Sequence, residues 1–287
     1  MPELPEVETL KRDLKVLQGK TIKAAKVNWP KMVKPLSPAK FCQGIKNLKI
    51  TGVSRRAKVL ILELSGSNFL LVHLKMTGQL IYQPKRGHLV VGGHPQVEGA
   101  SALPNKYTRI IIYFKDGTVL YFNDLRKFGW LKLVDKKTKE KILADFGIEP
   151  LTVEFTLEEF KNILKRYPNR KIKQLLMDHK LIAGIGNIYA DESCYYAKVL
   201  PGRIVKTLKP KEITDLHEGI KIILKLAIAK KGTSFRNYIK LNGRPGGMVK
   251  YLKVYGRGNQ TCSQCGAMIK KIKLNGRGTH FCPQCQK

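Results

Sequence analysis

The sequence predicts an α+β protein of more than one domain: a β-rich N-terminal part, a helical middle and a small cysteine-bearing tail. Three observations carry this. Between residues 21 and 134 the apolar residues come in short, strand-length runs. Beyond residue 135 their spacing changes to the helical period. The tail holds two CxxC pairs, Cys262/Cys265 and Cys282/Cys285, with sixteen residues between them. At 287 residues the chain is long enough for two domains of ordinary size.

The elements follow in order. Residues 5–18 predict a helix, because Val7, Leu10, Leu14 and Leu17 share one face and Gly19 is placed to end it. Ile61, Leu62 and Leu64, then Phe69 to Val72, predict strands, and 107–114 with 118–122 predict a hairpin turned at Asp116-Gly117. Residues 84–105, rich in Gly, Pro and polar side chains, predict a long loop. Thr156 to Glu159 is a capping box that opens a helix, and Pro210 and Gly232 bracket a longer one. The tail from 251 returns to short strands around the cysteines. These features divide the chain into a domain over 1–134, a hinge at 135–150, a helical domain over 151–250 and a cysteine ribbon over 251–287. No internal repeat is visible.

Charge narrows the choice of partner. Lys and Arg number 54 against 21 Asp and Glu, a formal +33 spread along the whole chain. Such an excess implies a polyanion, nucleic acid before all else. No apolar run approaches the ~20 residues of a membrane span, and no signal peptide precedes the charged start. The expected location is therefore cytoplasmic. Disulfides are rare in that compartment, so paired knuckles favour a metal over cross-links. Cys262, Cys265, Cys282 and Cys285 can close a four-thiolate site with no open position, which suits one structural Zn2+. The metal would hold an arm too small to fold alone. A redox dithiol would need a thioredoxin-like context that the sequence lacks. Cys42 and Cys194 stand apart and read as ordinary buried or free thiols.

The start of the chain has a chemistry of its own. Removal of Met1 would leave Pro2 with a secondary amine, whose pKa of about 8 leaves a useful fraction neutral at pH 7. Such an amine attacks a carbonyl-like carbon and forms an iminium, and Glu3 beside it could move protons. The same residues also read simply as a start context whose acids open a helix.

Six motifs in one order resolve that choice: MPELPEVET at the start, RRAKVLILEL at 55–64, HLKMTGQL at 73–80, RKFG at 126–129, GIGNIYADES at 184–193 and the two cysteine knuckles. Together they resemble the formamidopyrimidine-DNA glycosylases, base-excision repair enzymes for oxidised purines. The resemblance covers nearly the whole chain. It implies an N-terminal β-sandwich with an N-terminal helix, a helix–two-turns–helix domain and a C-terminal zinc-ribbon hairpin, with DNA in the cleft between the domains.

By the same resemblance, Pro2 is the nucleophile, and Glu3 and Lys58 handle protons at the damaged nucleotide. His73 contacts phosphate near the lesion. Met76, Arg126 and Phe128 fill and pry open the space left by a flipped base, since a glycosidic bond inside stacked duplex is out of reach. Asn187 contacts the DNA backbone at a glycine-rich helix entry (Gly184, Gly186), and Arg277 on the ribbon grips phosphate. Residues 233–250 resemble the loop that closes over 8-oxoguanine. The sequence departs from the family's DPRRFG at Leu125 and Lys127, and it lacks the family's aromatic near Gly247-Met248. The expected activity is a monomeric, bifunctional DNA glycosylase and abasic-site lyase acting on damaged double-stranded DNA, with zinc and without a redox or nucleotide cofactor. An endonuclease VIII-like enzyme for oxidised pyrimidines, or a lesion-binding protein without catalysis, are the other readings. The presence of Pro2, Glu3 and Lys58 speaks against the second of these.

Overall fold

A computed structural model describes residues 2–93, 102–233 and 247–287. The chain forms two compact units, Met1–Ala144 with Lys231–Gly247 and Asp145–Lys230 with Met248–Lys287.

The first unit opens with α1 (Leu4–Asp13), whose last turn tightens into a 3-10 helix over Leu14–Leu17. The predicted face of Val7, Leu10, Leu14 and Leu17 is buried, and Gly19 leaves the helix at φ +90°. Then come β1 (Ile22–Val27), α2 (Pro38–Ile45), β2 (Ile50–Arg56), β3 (Val59–Leu64), β4 (Asn68–His73), β5 (Gly78–Gln83), β6 (Val90–Gly93), β7 (Thr108–Phe114), β8 (Val119–Asp124), β9 (Trp130–Asp135) and α3 (Lys136–Ala144).

The strands make a five-stranded sheet, β1-β7-β8-β5-β6, and a four-stranded sheet, β2-β3-β4-β9. Side chains alternate along each strand. Leu60, Leu62, Leu70 and Val72 of the second sheet meet Leu80, Ile110, Ile112, Leu120 and Phe122 of the first in one core, which α1 joins through Val7 and Leu10. This is the expected β-sandwich. The β7–β8 hairpin turns where expected, with Gly117 at φ +82°, a conformation that suits glycine.

Two expectations change. Within 84–105, Val90–Gly93 forms β6, which pairs with β5 in the register Tyr82↔Val90 and Leu80↔Gly92. Two adjacent valines suffice for an edge strand despite their glycine- and proline-rich surroundings; residues 94–101 lie outside the described residues. The expected hinge at 135–150 contains α3, a Lys-rich helix with no fully buried residue. Good helix formers build it without a core-facing stripe, so its sequence reads as a linker.

The second unit contains α4 (Leu157–Arg166), α5 (Ile172–Leu176), α6 (Asn187–Tyr196) and α7 (Pro210–Ala229), then a ribbon with strands β10 (Lys270–Leu274) and β11 (Arg277–Phe281). Half of the predicted capping box forms: Thr156 Oγ1 accepts from Glu159 N at 3.1 Å, while Thr156 N donates to the Glu154 carbonyl at 2.8 Å instead of to the Glu159 side chain. Phe155, Phe160, Leu176, Tyr189, Leu216 and Leu224 form the helical core. Met248 joins that core, while 234–246, most of the loop expected to close over a purine, lies outside the described residues.

One contact ties the chain start to a distant segment of the same unit. Glu6 Oε2 accepts from Glu3 N at 3.0 Å, and Glu6 Oε1 accepts from Thr233 N at 2.8 Å and Thr233 Oγ1 at 3.0 Å. The approach requires Gly232, which stands at φ +76° and whose added Cβ would lie 2.7 Å from Glu6 Oε1. Gly232→Ala is expected to cost about 1 kcal/mol or more in denaturant unfolding, because it adds a left-handed strain to a lost carboxylate contact.

Candidate active site and nucleic-acid interface

The register of the four-stranded sheet gathers Lys58, His73 and the 125–128 loop, three of the sequence-predicted parts of the first unit. Val59, His73 and Trp130 pair in one row across β3, β4 and β9. Lys58 precedes Val59 and the 125–128 loop precedes Trp130, so Lys58, His73 and that loop stand at one end of the sheet.

Lys58 occupies a two-residue turn between β2 and β3, since Arg56 pairs directly with Val59. Ala57 holds the turn at φ +53° and Lys58 is buried. Arg55 fastens this turn to the helix that carries the chain start. Its Nε donates to Glu8 Oε2 at 3.0 Å and its Nη1 to the Ala57 carbonyl at 3.1 Å. Pro2 and Glu3 lead directly into that helix, and both are buried. Burial works to raise the Glu8 carboxyl, but hydrogen bonds from Lys11, Arg55 and Arg12 outweigh it and hold it below its ordinary value of 4.5.

At His73, Nδ1 accepts from Lys75 N at 3.0 Å. A neutral imidazole that accepts at Nδ1 carries its proton on Nε2, so the ring presents that nitrogen as a donor. The ring packs against Trp130 with centroids 5.5 Å apart.

The 125–128 loop is organised by Asp124, which is fully buried. Its Oδ1 accepts from Thr77 Oγ1 and from Arg126 N at 3.1 Å, and its Oδ2 accepts from Gly129 N at 2.7 Å. Thr77 Oγ1 in turn accepts from Arg126 N at 2.9 Å. The clamp joins the segment after Met76 to the loop base. Beyond it the side chains stand out: Phe128 is 52% exposed and Leu125 45%. The Arg126 guanidinium lies 4.6 Å over the Phe128 ring. Met76 is half-buried.

In the second unit, Gly186 caps α6 and Asn187 is its first residue. The Asn187 Nδ2 donates to the Gly278 carbonyl at 2.9 Å, so this side chain supports the ribbon strand that begins at Arg277. Lys173 Nζ donates to the same carbonyl at 3.1 Å and to Thr279 Oγ1 at 2.7 Å, and it pairs with Asp191 at 2.7 Å. Asp191 Oδ2 accepts from His280 N at 2.9 Å. Arg277 itself is exposed at the start of β11. Glu192 accepts from three successive amides, Lys253, Val254 and Tyr255, at 2.8–2.9 Å. That turns the chain toward the ribbon.

The four ribbon sulfurs lie within 4.8 Å of one another. Cys262 and Cys285 Sγ are 3.8 Å apart and Cys265 and Cys282 Sγ 3.4 Å. A zinc–thiolate bond of about 2.3 Å in a tetrahedron needs sulfurs about 3.8 Å apart, so the donor set fits Zn2+. The Tyr195 hydroxyl lies 3.4 Å from Cys262 Sγ, and Cys285 N donates to Cys282 Sγ at 3.4 Å. Contacts of this kind orient thiolate ligands.

Glu6, Glu8, Arg55, Thr77, Asp124 and Tyr195 were not among the site residues read from the sequence. The signal for Glu8 and Arg55 lay inside two of the motifs, MPELPEVET and RRAKVLILEL, yet nothing in sequence spacing says that they meet.

Residues 1–131 match the model of the formamidopyrimidine-DNA glycosylase N-terminal domain, 146–238 that of the glycosylase H2TH domain, and 259–287 that of the zinc finger found in FPG and IleRS. These parts together make a helix–two-turns–helix DNA glycosylase with one structural zinc. The formamidopyrimidine-DNA glycosylase of Pelotomaculum thermopropionicum is 39% identical over 93% of this chain and 92% of its own. The Lactococcus lactis Fpg in complex with an abasic site containing DNA superposes with a TM-score of 0.86 at 35% identity over 99% of both chains. A mutant of that protein in complex with a Fapy-dG containing DNA gives 0.87 at 36% over all of both chains. The chain belongs to the formamidopyrimidine-DNA glycosylase family. Among the described residues no helix is long and apolar enough to cross a membrane.

Two outcomes test the site's supports. The Glu8 carboxyl is depressed in the folded state, so its contribution is complete above its unfolded value near 4.5 and is lost as pH falls through the folded value. Glu8→Gln should therefore lower stability at pH 7, and its deficit against the wild type should shrink in unfolding curves taken below about pH 4.5. Cys282→Ser should bind little zinc by metal analysis against one equivalent in the wild type. It should also lose proteolytic protection of the ribbon while the sandwich stays folded on its own core.

Proposed function

We propose that this chain is a bifunctional DNA glycosylase and abasic-site lyase that excises oxidised purines, 8-oxoguanine and formamidopyrimidines, from duplex DNA. The observation that carries the reading is the gathering of Lys58, His73 and the 125–128 loop at one sheet end, with Arg55 bonded both to the Lys58 turn and to the helix that follows Pro2 and Glu3.

After removal of Met1, the Pro2 nitrogen attacks C1′ of the damaged nucleotide. The C1′–base bond breaks, and the base leaves with a proton that Glu3 or Lys58 delivers. The amine gives up its proton, the sugar ring opens as the C1′–O4′ bond breaks and O4′ takes up a proton, and the iminium so formed acidifies the C2′ proton. Its loss expels the 3′ phosphate, and a second elimination expels the 5′ phosphate. Burial of Pro2, Glu3 and Lys58 supports this chemistry, because a dry site keeps water from the intermediate. His73 presents an Nε2 donor to a phosphate, and Met76, Arg126 and Phe128 enter the gap left by the extruded nucleotide. Asn187 and Arg277 hold the DNA backbone. The formal +33 supplies the non-specific attraction. The enzyme works in the cytoplasm, on nucleoid DNA.

Borohydride should trap a covalent protein–DNA adduct, and the adduct should map to the peptide beginning at Pro2. An adduct at Lys58 would reassign the nucleophile. Glu3→Gln should keep DNA affinity and lose base excision. Phe128→Ala should slow excision from duplex by roughly tenfold more than it slows cleavage of a preformed abasic site, where extrusion costs less. Equal losses on both substrates would reduce Phe128 to a support of the fold.

A further inference from the structure

Lys127, one of the two departures from the family's loop sequence, has a partner outside the loop. It stands at φ +60°, a left-handed conformation uncommon for a residue with a side chain. Its Nζ lies 3.9 Å over the ring of Trp29. Trp29 immediately precedes the short 3-10 helix Pro30–Val33 and packs, half-buried, against the sandwich core. Its position is fixed from β7. Asn28 N donates to the Arg109 carbonyl at 2.7 Å, and Asn28 Nδ2 to the Thr108 carbonyl at 3.2 Å. Arg109 Nε in turn donates to the Asp124 carbonyl at 2.9 Å. The strand that holds Trp29 therefore also holds the base of the 125–128 loop.

We infer that Trp29 is a positioning residue for base extrusion: its ring holds the Lys127 ammonium and thereby aims Arg126 and Phe128 out of the loop. The Asp124 carboxylate fixes the loop at Arg126 N and Gly129 N, its two ends. Those bonds leave the middle of the loop undetermined. Lys127 is the middle, and its side chain is the one that returns to the sandwich. Arg126 and Phe128 flank it, pair with each other and stay exposed. A loop pinned at both ends and at its centre keeps its two outward side chains in place before DNA arrives, which lowers the ordering cost of inserting them. Lysine serves here because a flexible four-carbon stem lets the charge reach the ring face.

The inference rests on the proposed wedge role of the loop, so the test separates the two. Single-turnover excision of an oxidised purine from duplex, and cleavage of a preformed abasic site, are measured for Trp29→Leu, Trp29→Phe, Lys127→Ala, the Trp29→Leu/Lys127→Ala double variant and Phe128→Ala. An exposed cation–π contact predicts a duplex-specific slowing of about two- to fivefold for Trp29→Leu and for Lys127→Ala. The double variant should be no slower than either single one. Trp29→Phe, which keeps a ring face, should recover most of the rate. A 2-aminopurine beside the lesion should report slower unstacking in Trp29→Leu. If Phe128→Ala slows duplex excision selectively but Trp29→Leu does not, the Trp29 inference fails alone. If the two losses add, Lys127 acts on the DNA directly and the inference is likewise overturned. If Phe128→Ala shows no duplex-specific loss, the wedge reading fails first and takes the inference with it.

Discussion

Buried carboxylates that collect backbone amides hold the functional loops of this chain in place. Acidic residues are scarce, 21 against 54 basic ones, and several of them sit in the interior. Glu6 receives Glu3 N, Thr233 N and the Thr233 hydroxyl. Asp124 receives Thr77, Arg126 and Gly129. Asp191 receives His280 N and pairs with Lys173, and Glu192 receives three consecutive amides. A buried carboxyl group with its oxygens unpaired costs several kcal/mol. With donors on both oxygens it becomes a rigid node instead. Each node fixes a segment that the sandwich or the helices alone would leave loose: the chain start, the 125–128 loop, the ribbon strand and the turn into the ribbon.

This arrangement also reconciles precision with a strongly basic exterior. Exposed lysines and arginines attract a polyanion over a distance of about a Debye length and carry no geometry. The geometry comes from groups withdrawn from solvent, where salt screens them little. Loss of one interior carboxylate would therefore disturb placement at any ionic strength, whereas loss of one surface lysine matters mainly at low salt.

Much of this was legible in the sequence, for reasons that differ by element. The face of Val7, Leu10, Leu14 and Leu17 was visible because burial follows period, and the Thr156 cap because a cap is local. The four-cysteine set was visible because metal ligands come in short fixed spacings. The β6 strand was hidden because two valines in a glycine-rich segment become a strand only when β5 offers an edge. α3 was hidden because its lysines form a helix without an apolar stripe. The supports of the site were hidden for a third reason. Arg55 lies 47 residues from Glu8, and Thr77 also 47 from Asp124. A hydrogen bond between distant segments leaves no periodic trace.

The departures at Leu125 and Lys127 show what that blindness means for reading a site. By sequence alone, exchanging a proline for leucine and an arginine for lysine looks like a loss of rigidity in the loop. In the folded chain the rigidity is supplied from elsewhere, by amide bonds to Asp124 at the loop's ends and by the Trp29 ring beneath Lys127 at its centre. A proline restricts one φ angle and acts chiefly by limiting the unfolded chain. A carboxylate clamp and a ring contact restrict the folded loop directly, and they exist only once the sandwich has assembled. The stiffness of this loop is therefore a property of the tertiary structure. A substitution at Trp29, far away in sequence, bears on it as directly as one inside the motif.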